Sequence, residues 1–347
     1  MQRHRGIWIA GLAIAVILFG FLCLFIGSSN MTVQDAIYAL FGKGTAANVR
    51  IIRSIRLPRV LAALVAGAGL STAGLVMQTN LGNAMASPST LGVSNAAVFG
   101  ANVSIIAFSG GFLNTGGNAA SYASGANPYS VSLMAFLFAV CSVMLILGMC
   151  RFRAYQPNVV VLAGIALGSV WTAATTVLQF YATDVGISAA VIWNFGDLGR
   201  ATYKTDCIMA VVVLAGLVYF RRMAWSYNAL LSGEASAMSM GIPVERVRFC
   251  SLLAASMITA VCVSYLGVIG FVGMICPHIT KKIMGQNHRI TIPVSALSGS
   301  LLLLIADTFS RSMGSGSALP VGAITSLLGA PFFIGIIFSR GTGNAEN

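Results

Sequence analysis

Charged side chains are scarce in this chain of 347 residues. They make up 8% of the sequence, whereas hydrophobic residues make up 57%. A soluble globular domain has about a quarter charged residues, so this composition excludes that class. The 38 glycines fit membrane helices that approach one another closely. The composition therefore predicts an integral membrane protein.

The sequence also lacks the patterns that most enzymes and metal sites need. Its seven cysteines occur singly, with no CxxC pair, and HExxH and paired carboxylates are missing. The stretch FGKGT (41–45) lacks the upstream glycine of a phosphate-binding loop. We therefore expect no catalytic residue, no cofactor and no resident metal, and the energy for any ATP-driven process must come from a partner. The net charge of +12 fits basic loops at a membrane surface better than a nucleic-acid partner.

Apolar runs long enough to cross a bilayer recur along the chain. The first, in residues 1–27, is apolar for about 20 residues and shows no Ala-x-Ala cleavage site, so it predicts an uncleaved helix that starts in the cytoplasm. The others lie near 57–77, 91–108, 129–149, 158–180, 206–220, 249–268, 270–284, 290–306 and 319–338. We predict one all-α membrane domain over 1–347, with about ten spans and both termini cytoplasmic. Breaks are expected near Pro88 and from Gly270 to Pro277, at depths where protein or a water-filled path must surround the backbone.

The stretch RSIRLPRV places Arg53, Arg56 and Arg59 at the start of an apolar run. With the first helix running outward, these arginines fall on the outer face, against the tendency for positive charge to stay inside. Two interpretations are open on spacing alone. The arginines extend to lipid headgroups at a helix end, or they meet an acidic partner on the outer face.

Five stretches carry a resemblance to a known family. They are IRLPRVLAALVAGAGLSTAGLVMQ (55–78), ASPSTLGVSNAA (86–97), GFVGMICPHI (270–279), NHRITIPVSALSGSLLLLIADTFSR (287–311) and LPVGAITSLLGAPFFIGIIF (319–338). In order and register they resemble the FecCD-type permeases, which are the membrane subunits of ABC importers for iron-siderophores, haem and cobalamin. The resemblance runs from about Arg56 to Phe338. It implies the permease fold of a type II ABC importer, with some helices short or broken.

The resemblance also implies partners in a bacterial or archaeal cell (inner) membrane. A second permease subunit, identical or related, would enclose the pathway, two cytoplasmic ATPase subunits would supply energy, and an external binding protein would deliver the metal chelate. In such permeases, arginines that match Arg56, Arg59 and Arg311 meet acidic residues of the binding protein. Arg311 has a competing structural role, because Asp307 lies four residues before it and can form a helix-end ion pair.

The segment 221–248 is the longest predicted cytoplasmic loop. Within it, GEASAMSM (233–240) can form about two helical turns, which Gly241, at a positive φ, and Pro243 would end. An interfacial anchor is one interpretation. The resemblance implies instead a coupling helix that inserts into the ATPase, and its residues are Glu234, Ala235, Ala237, Met238, Met240 and Gly241.

Four residues are candidates for the pathway or its gate. The resemblance places Gln78 and Asn83 on the inner part of the translocation route, although ordinary interhelical hydrogen bonds would equally explain them. Pro277 and His278 stand where an apolar segment meets a basic cytoplasmic edge, which indicates a structural or gating role.

The predicted function is the permease subunit of an ATP-driven importer that passes an iron chelate, in the first instance a ferric siderophore, to the cytoplasm. Haem or cobalamin is the alternative cargo. An ion-coupled secondary transporter would need carboxylates at mid-membrane, but the eight acidic residues lie mostly in loops or at helix ends. An intramembrane hydrolase would need a buried nucleophile and base, and the chain has only three histidines. The chain is therefore not expected to be an enzyme.

Overall fold

The structure is a computed structural model that describes residues 2–27, 31–108, 127–313 and 318–341. Within these ranges the regular elements are helices, apart from one isolated bridge between Phe195 and Val268. The helices are α1 (Gln2–Phe25), α2 (Val33–Leu40), α3 (Ala46–Arg50), α4 (Leu57–Asn80), α5 (Val93–Asn102), α6 (Pro128–Cys150), α7 (Pro157–Phe180), α8 (Asp184–Asn194), α9 (Tyr203–Arg222), α10 (Ala224–Leu230), α11 (Glu234–Ser239), α12 (Val244–Leu266), α13 (Val272–Met284), α14 (His288–Met313) and α15 (Val321–Gly341). The predicted all-α architecture is confirmed.

Membrane-spanning length is reached by seven helical runs in the described part of the chain. Two shorter apolar runs, Val93–Phe108 and Val321–Phe332, accompany them. Each span predicted from the sequence coincides with a helix, including the short α13. The protein is therefore a multi-pass membrane protein.

Helix boundaries differ from the prediction mainly before α4. A π-helical turn, Ile51–Arg56, joins α3 to α4, so one helical run extends over the 35 residues Ala46–Asn80. The short helices α2, α3 and α8 were not predicted. Each begins at a threonine whose side chain accepts a hydrogen bond from a backbone N–H of the first turn; these residues are Thr32, Thr45 and Thr183. Such caps satisfy N–H groups that a helix start leaves without partners.

The break predicted from Gly270 to Pro277 lies slightly earlier in the structure, at residues 267–271, and α13 is helical through Pro277. Gly267 and Phe271 have φ values of 78° and 65°, which prevent α12 from continuing into α13. The loop 195–197 supplies a partner for the backbone at this break, because Asp197 N–H donates to the Leu266 carbonyl at 2.8 Å, and its Gly196 carbonyl accepts from Val321 N–H at the start of α15 at 2.8 Å. Irregular backbone is stable at membrane depth when protein groups satisfy it in this way.

The helix α4 is the centre of the bundle, packed against α9, α12, α13 and α14. Small residues on α4 allow backbones to approach: a Cβ atom at Gly74 would overlap the backbone of Gly273, and one at Gly67 would overlap that of Gly299. Between these contacts, the Ser71 hydroxyl donates to the Ser295 carbonyl at 2.7 Å. In a membrane the hydrophobic effect does not drive helices together, because lipid tails are as apolar as the side chains. Small residues and interhelical hydrogen bonds hold the helices together instead.

The bundle has two ends, which we name for a buried charged residue at each. The Asp307 end contains the C-terminus of α1, the N-terminus of α4 and the C-terminal part of α14. The Arg248 end contains the C-terminus of α4 and the N-terminus of α12.

Replacing Gly74 by alanine is expected to destabilise the protein, because the added methyl group meets the Gly273 backbone. Overpacking of this kind costs about 1–3 kcal/mol. Gly148→Ala in α6 is the matched control, since a Cβ atom there meets nothing within 4 Å. Thermal unfolding in detergent measures both variants. Equal midpoints for the two would contradict the close packing of α4 on α13.

Candidate functional site

Three arginines predicted from the sequence converge at the Asp307 end. Arg59 Nε donates to Asp307 Oδ1 at 2.5 Å, and Arg311 Nε donates to Asp307 Oδ2 at 2.9 Å. Asp197 lies 3.4 Å from the Arg59 guanidinium. Because the Asp307 side chain is buried and holds two guanidinium groups, it neutralises part of a cluster that would otherwise be strongly repulsive.

The same cluster caps the end of α1. Arg56 Nη1 donates to the Leu24 carbonyl at 2.7 Å, and Arg311 Nη1 donates to the Ile26 carbonyl at 2.8 Å and to the Cys23 carbonyl at 3.1 Å. The last carbonyls of a helix have no partner inside it, and positive charge is favourable there. Arg56 and Arg311 therefore fasten the end of α1 to the bundle.

The exposure of these arginines differs from the prediction. Arg56 and Arg59 are only 5% and 6% exposed, although the sequence interpretation had them presented on an outer surface. The reason is that α1 carbonyls and carboxylates provide acceptors inside the chain, which charge counting along loops cannot show. The predicted Arg311–Asp307 pair is confirmed. The exposed cations of this end are Lys43, Arg50, Arg53 and Lys204.

A cavity of about 580 Å³ opens at the Arg248 end, between α4, α10 and α13. Its walls include the predicted residues Gln78 and His278. The Gln78 side chain accepts a hydrogen bond from Lys281 Nζ at 3.1 Å and donates one to the Met274 carbonyl at 3.3 Å. The predicted interhelical hydrogen bonds of Gln78 are thus present, and they lie on a cavity wall. Pro277 is buried within α13 and is not part of that wall.

A second concave site, the α7 groove, has a volume of about 600 Å³ and runs along α7. Every side chain on its wall is uncharged, and the lining residues are Asn83, Met85, Ala86, Ser89, Thr90, Gly92, Asn95, Val161, Gly164, Ile165, Gly168, Ser169, Thr172, Ala173 and Thr176. Gln78 and Asn83, predicted together, therefore line different cavities. Among the described residues, no group of three or more His, Cys, Asp or Glu side chains lies close enough to hold a metal ion.

The α7 groove depends on a polar face of a membrane-spanning helix. Ser169, Thr172 and Thr176 are exposed on one side of α7, at helical spacing. Asn95 reaches this face from α5 and donates to Thr172 Oγ1 at 3.2 Å. Exposed polar residues at membrane depth usually face a water-filled cavity or another protein rather than lipid. Sequence reasoning missed this face, although the spacing of the hydroxyl residues was a readable signal.

The predicted coupling segment forms the six-residue helix α11. It ends where predicted, and Gly241 has the expected positive φ of 79°. Ala235, Met238 and Met240 are exposed. Ala237 is wrong as a contact residue: it is completely buried, because one side of so short a helix must pack against the bundle. Glu234 at the start of α11 is bonded to Arg248 at 2.5 Å.

Comparison with known proteins identifies a family and a fold. The sequence model of the FecCD transport family matches residues 14–339. MJ0087 of Methanocaldococcus jannaschii, provisionally named an ABC transporter permease, is 44% identical over 93% of this chain and 91% of its own. The cobalamin import system permease BtuC of Halobacterium salinarum is 34% identical over 89% of this chain and 79% of its own. The iron(3+)-hydroxamate import system permease FhuG of Bacillus subtilis is 29% identical over 92% and 93%.

A solved structure has the same fold. It is described as an inward-facing conformation of a metal-chelate type ABC transporter, an assignment that is itself provisional. It superposes with a TM-score of 0.80 over 96% of this chain and 99% of its own, at 24% sequence identity. The predicted type II importer permease fold is therefore confirmed.

Asp307→Asn is expected to destabilise the Asp307 end severely. The substitution removes the buried negative charge that Arg59 and Arg311 share, and breaking a buried pair by removing one partner costs about 3–5 kcal/mol. Asp184→Asn, at an exposed position, is the control. Thermal unfolding in detergent should show a large drop in midpoint for the first variant alone. An unchanged midpoint for Asp307→Asn would show that the cluster does not hold this end together.

Proposed function

Because this chain belongs to the FecCD transport family, we propose that it is the permease subunit of an ATP-driven importer that passes an iron chelate, such as a ferric siderophore, into the cytoplasm. The observation that carries the proposal is the α7 groove, a concave polar surface on a helix that spans the membrane. A second permease subunit, a copy of this chain or a related one, would face it and close the groove into a pathway.

The chemistry of the groove suits a bulky, well-shielded cargo. Its hydroxyl groups are already bonded to carbonyls of their own helix, as with Thr172 to Gly168 at 2.9 Å and Thr176 to Thr172 at 3.1 Å. A wall of uncharged, internally satisfied groups provides no strong ligand for a metal or a charge, so a chelate can pass without being trapped. Iron chelates and cobalamin, the cargoes in the names of two relatives, share this need. Cobalamin is the alternative cargo, and haem is a further one.

The orientation follows from the charges at the two ends. The Arg248 end carries many basic residues next to its helix termini, namely Arg151, Arg153, Arg221, Arg222, Arg246, Lys281, Lys282 and Arg289. Short cytoplasmic loops carry an excess of Lys and Arg. We therefore assign the Arg248 end and both termini to the cytoplasm of a bacterial or archaeal cell, and the Asp307 end to the outer face.

The ATPase partner is proposed to bind α11 at the Arg248 end. Met238 and Met240 are 57% and 52% exposed, and methionine is a flexible side chain that adapts to a partner surface. Ala235 beside them leaves room for close contact. Two ATPase subunits, one for each permease subunit, complete the energy-coupling part of the importer.

The proposal is tested by reconstitution in proteoliposomes with the ATPase and the loaded external binding protein. A ferric hydroxamate and cobalamin are offered separately. Uptake that requires ATP is the expected result, and the preferred cargo identifies the chelate. Uptake that proceeds without ATP under an imposed proton or sodium gradient would instead establish an ion-coupled secondary transporter.

The binding protein is proposed to dock on the Asp307 end, around Arg56, Arg59 and Arg311. Arg56 and Arg59 are buried and Arg311 is partly buried, so their charge would act from beneath the surface, while Arg50 and Arg53 are exposed beside them. Replacing Arg50 and Arg53 by glutamate should slow association with an acidic binding protein at low salt. The effect should shrink with salt, since the Debye length falls from about 10 Å at 0.1 M to about 3 Å at 1 M.

Surface plasmon resonance on the purified complex measures this association rate. Arg151→Glu, at the opposite end, is the control. An association rate that the double reversal leaves unchanged at low salt would contradict docking at this end.

Gly241→Val is expected to lower the cargo transported per ATP hydrolysed. Gly241 ends α11 at a φ of 79°, where a residue with a Cβ atom is strained by about 1–2 kcal/mol. A Cβ atom at Gly241 meets nothing within 4 Å, so the strain is expected to shift the end of α11 without unfolding the protein. Gly44→Val has similar strain, at φ 109° and in open space, but lies at the Asp307 end. Equal coupling ratios for the two variants would contradict a role of α11 in coupling.

A further inference from the structure

Arg248 is a buried cation that joins three separate segments at the Arg248 end. It lies in the second turn of α12 and is 3% exposed. Each nitrogen of its guanidinium group has a different acceptor. Nε donates to the Asn80 carbonyl at 2.9 Å, Nη1 to the Tyr155 carbonyl at 3.1 Å, and Nη2 to Glu234 Oε1 at 2.5 Å. The rigid planar fork of an arginine spreads its donors over three nitrogens and suits acceptors on three separate segments, whereas a lysine ammonium would have to reach all of them from one nitrogen.

The first acceptor is the last residue of α4. The carbonyls of Met77, Gln78 and Thr79 are bonded to the turn that follows α4, and Arg248 supplies the donor for Asn80. Positive charge at this position is favourable for the helix dipole. Arg248 therefore fixes the end of α4, two residues from the cavity residue Gln78.

The second acceptor lies in the tight turn between α6 and α7. Ala154 and Tyr155 both have positive φ values, 51° and 53°, although neither is glycine. Non-glycine residues hold this conformation only when their surroundings impose it. Together with the backbone hydrogen bonds of the turn, Arg248 helps to hold it through the Tyr155 carbonyl, and the Tyr155 ring packs on Phe249 with centroids 5.5 Å apart. This turn leads directly into α7, the helix that forms the wall of the groove.

The third acceptor is the first residue of α11. Half of the Glu234 side chain is exposed, whereas Arg248 is buried, so the pair links the surface to the interior. If α11 moved alone, Arg248 would lose its carboxylate and remain as an uncompensated buried charge, which is strongly unfavourable. Displacement of α11 is therefore expected to move Arg248 with it.

We propose that Arg248 is the positioning residue that transmits movement of α11 to the end of α4 and to the start of α7. This rests on the proposed function, because it assumes that an ATPase moves α11. Arg248 acts through its three acceptors and touches neither the cargo nor the ATPase. One buried guanidinium group thus connects α11 to the end of α4, which borders the cavity at the Arg248 end, and to the start of α7, which borders the α7 groove.

The test uses the assembled transporter in proteoliposomes with its binding protein and ATPase. Glu234→Gln keeps the shape of the acceptor but removes its charge, and Arg248→Lys keeps the charge but loses the fork. Uptake per ATP hydrolysed should fall about tenfold for Glu234→Gln, because a charge-assisted bond becomes a neutral one. Glu245→Gln, an exposed carboxylate in the first turn of α12, should leave this ratio unchanged.

The double variant decides whether the two residues act together. If Arg248 transmits movement through Glu234, Arg248→Lys adds little to the loss already caused by Glu234→Gln, so the two effects are not additive. A purely structural role would lower thermal stability and leave uptake per ATP unchanged, which would overturn the proposal. Glu234→Gln alone tests the idea if Arg248→Lys fails to fold. Failure of the unmodified transporter to take up cargo with ATP would refute the proposed function instead.

Discussion

The close approach of α4 to α13 and α14 determines how the helices of this bundle are arranged. Where Gly74 meets Gly273 and Gly67 meets Gly299, the backbones leave no room for a side chain. In a membrane, packing of this kind replaces the hydrophobic effect as the source of helix association. It makes α4 a fixed axis, and both buried charge clusters are attached to its ends.

The two buried charge clusters have different roles. At the Asp307 end, Arg59 and Arg311 share one buried carboxylate, and Arg56 and Arg311 fasten the end of α1. At the Arg248 end, a single buried arginine holds the end of α4 and reaches a half-exposed carboxylate on α11. In the proposed importer, the first end receives a delivered cargo and the second responds to an ATPase. Because both clusters are bonded to α4, this helix is suited to hold the two ends at a fixed position relative to each other.

Much of the fold could be predicted from the sequence, because apolar runs and glycine carry a local signal. The spans, the break before α13, the Arg311–Asp307 pair and the positive φ of Gly241 could all be predicted from the sequence within a few residues.

The features that the sequence did not predict are those that only tertiary packing determines. Burial of Arg56 depends on carbonyls of α1, some thirty residues earlier in the chain, and burial of Ala237 depends on which side of α11 meets the bundle. The polar face of α7 was readable from Ser169, Thr172 and Thr176, but its meaning depended on the groove beside it.

Cysteine accessibility in the assembled transporter shows whether the polar face of α7 borders water or lipid. Single cysteines replace Ser169, Thr172 or Thr176, and Val170 or Val177 on the apolar side, in a background without the native exposed cysteines Cys141, Cys207 and Cys250. We expect a charged, membrane-impermeant thiol reagent to modify the first three positions and to spare the other two. Protection of all five positions, or equal modification of both sides, would contradict it.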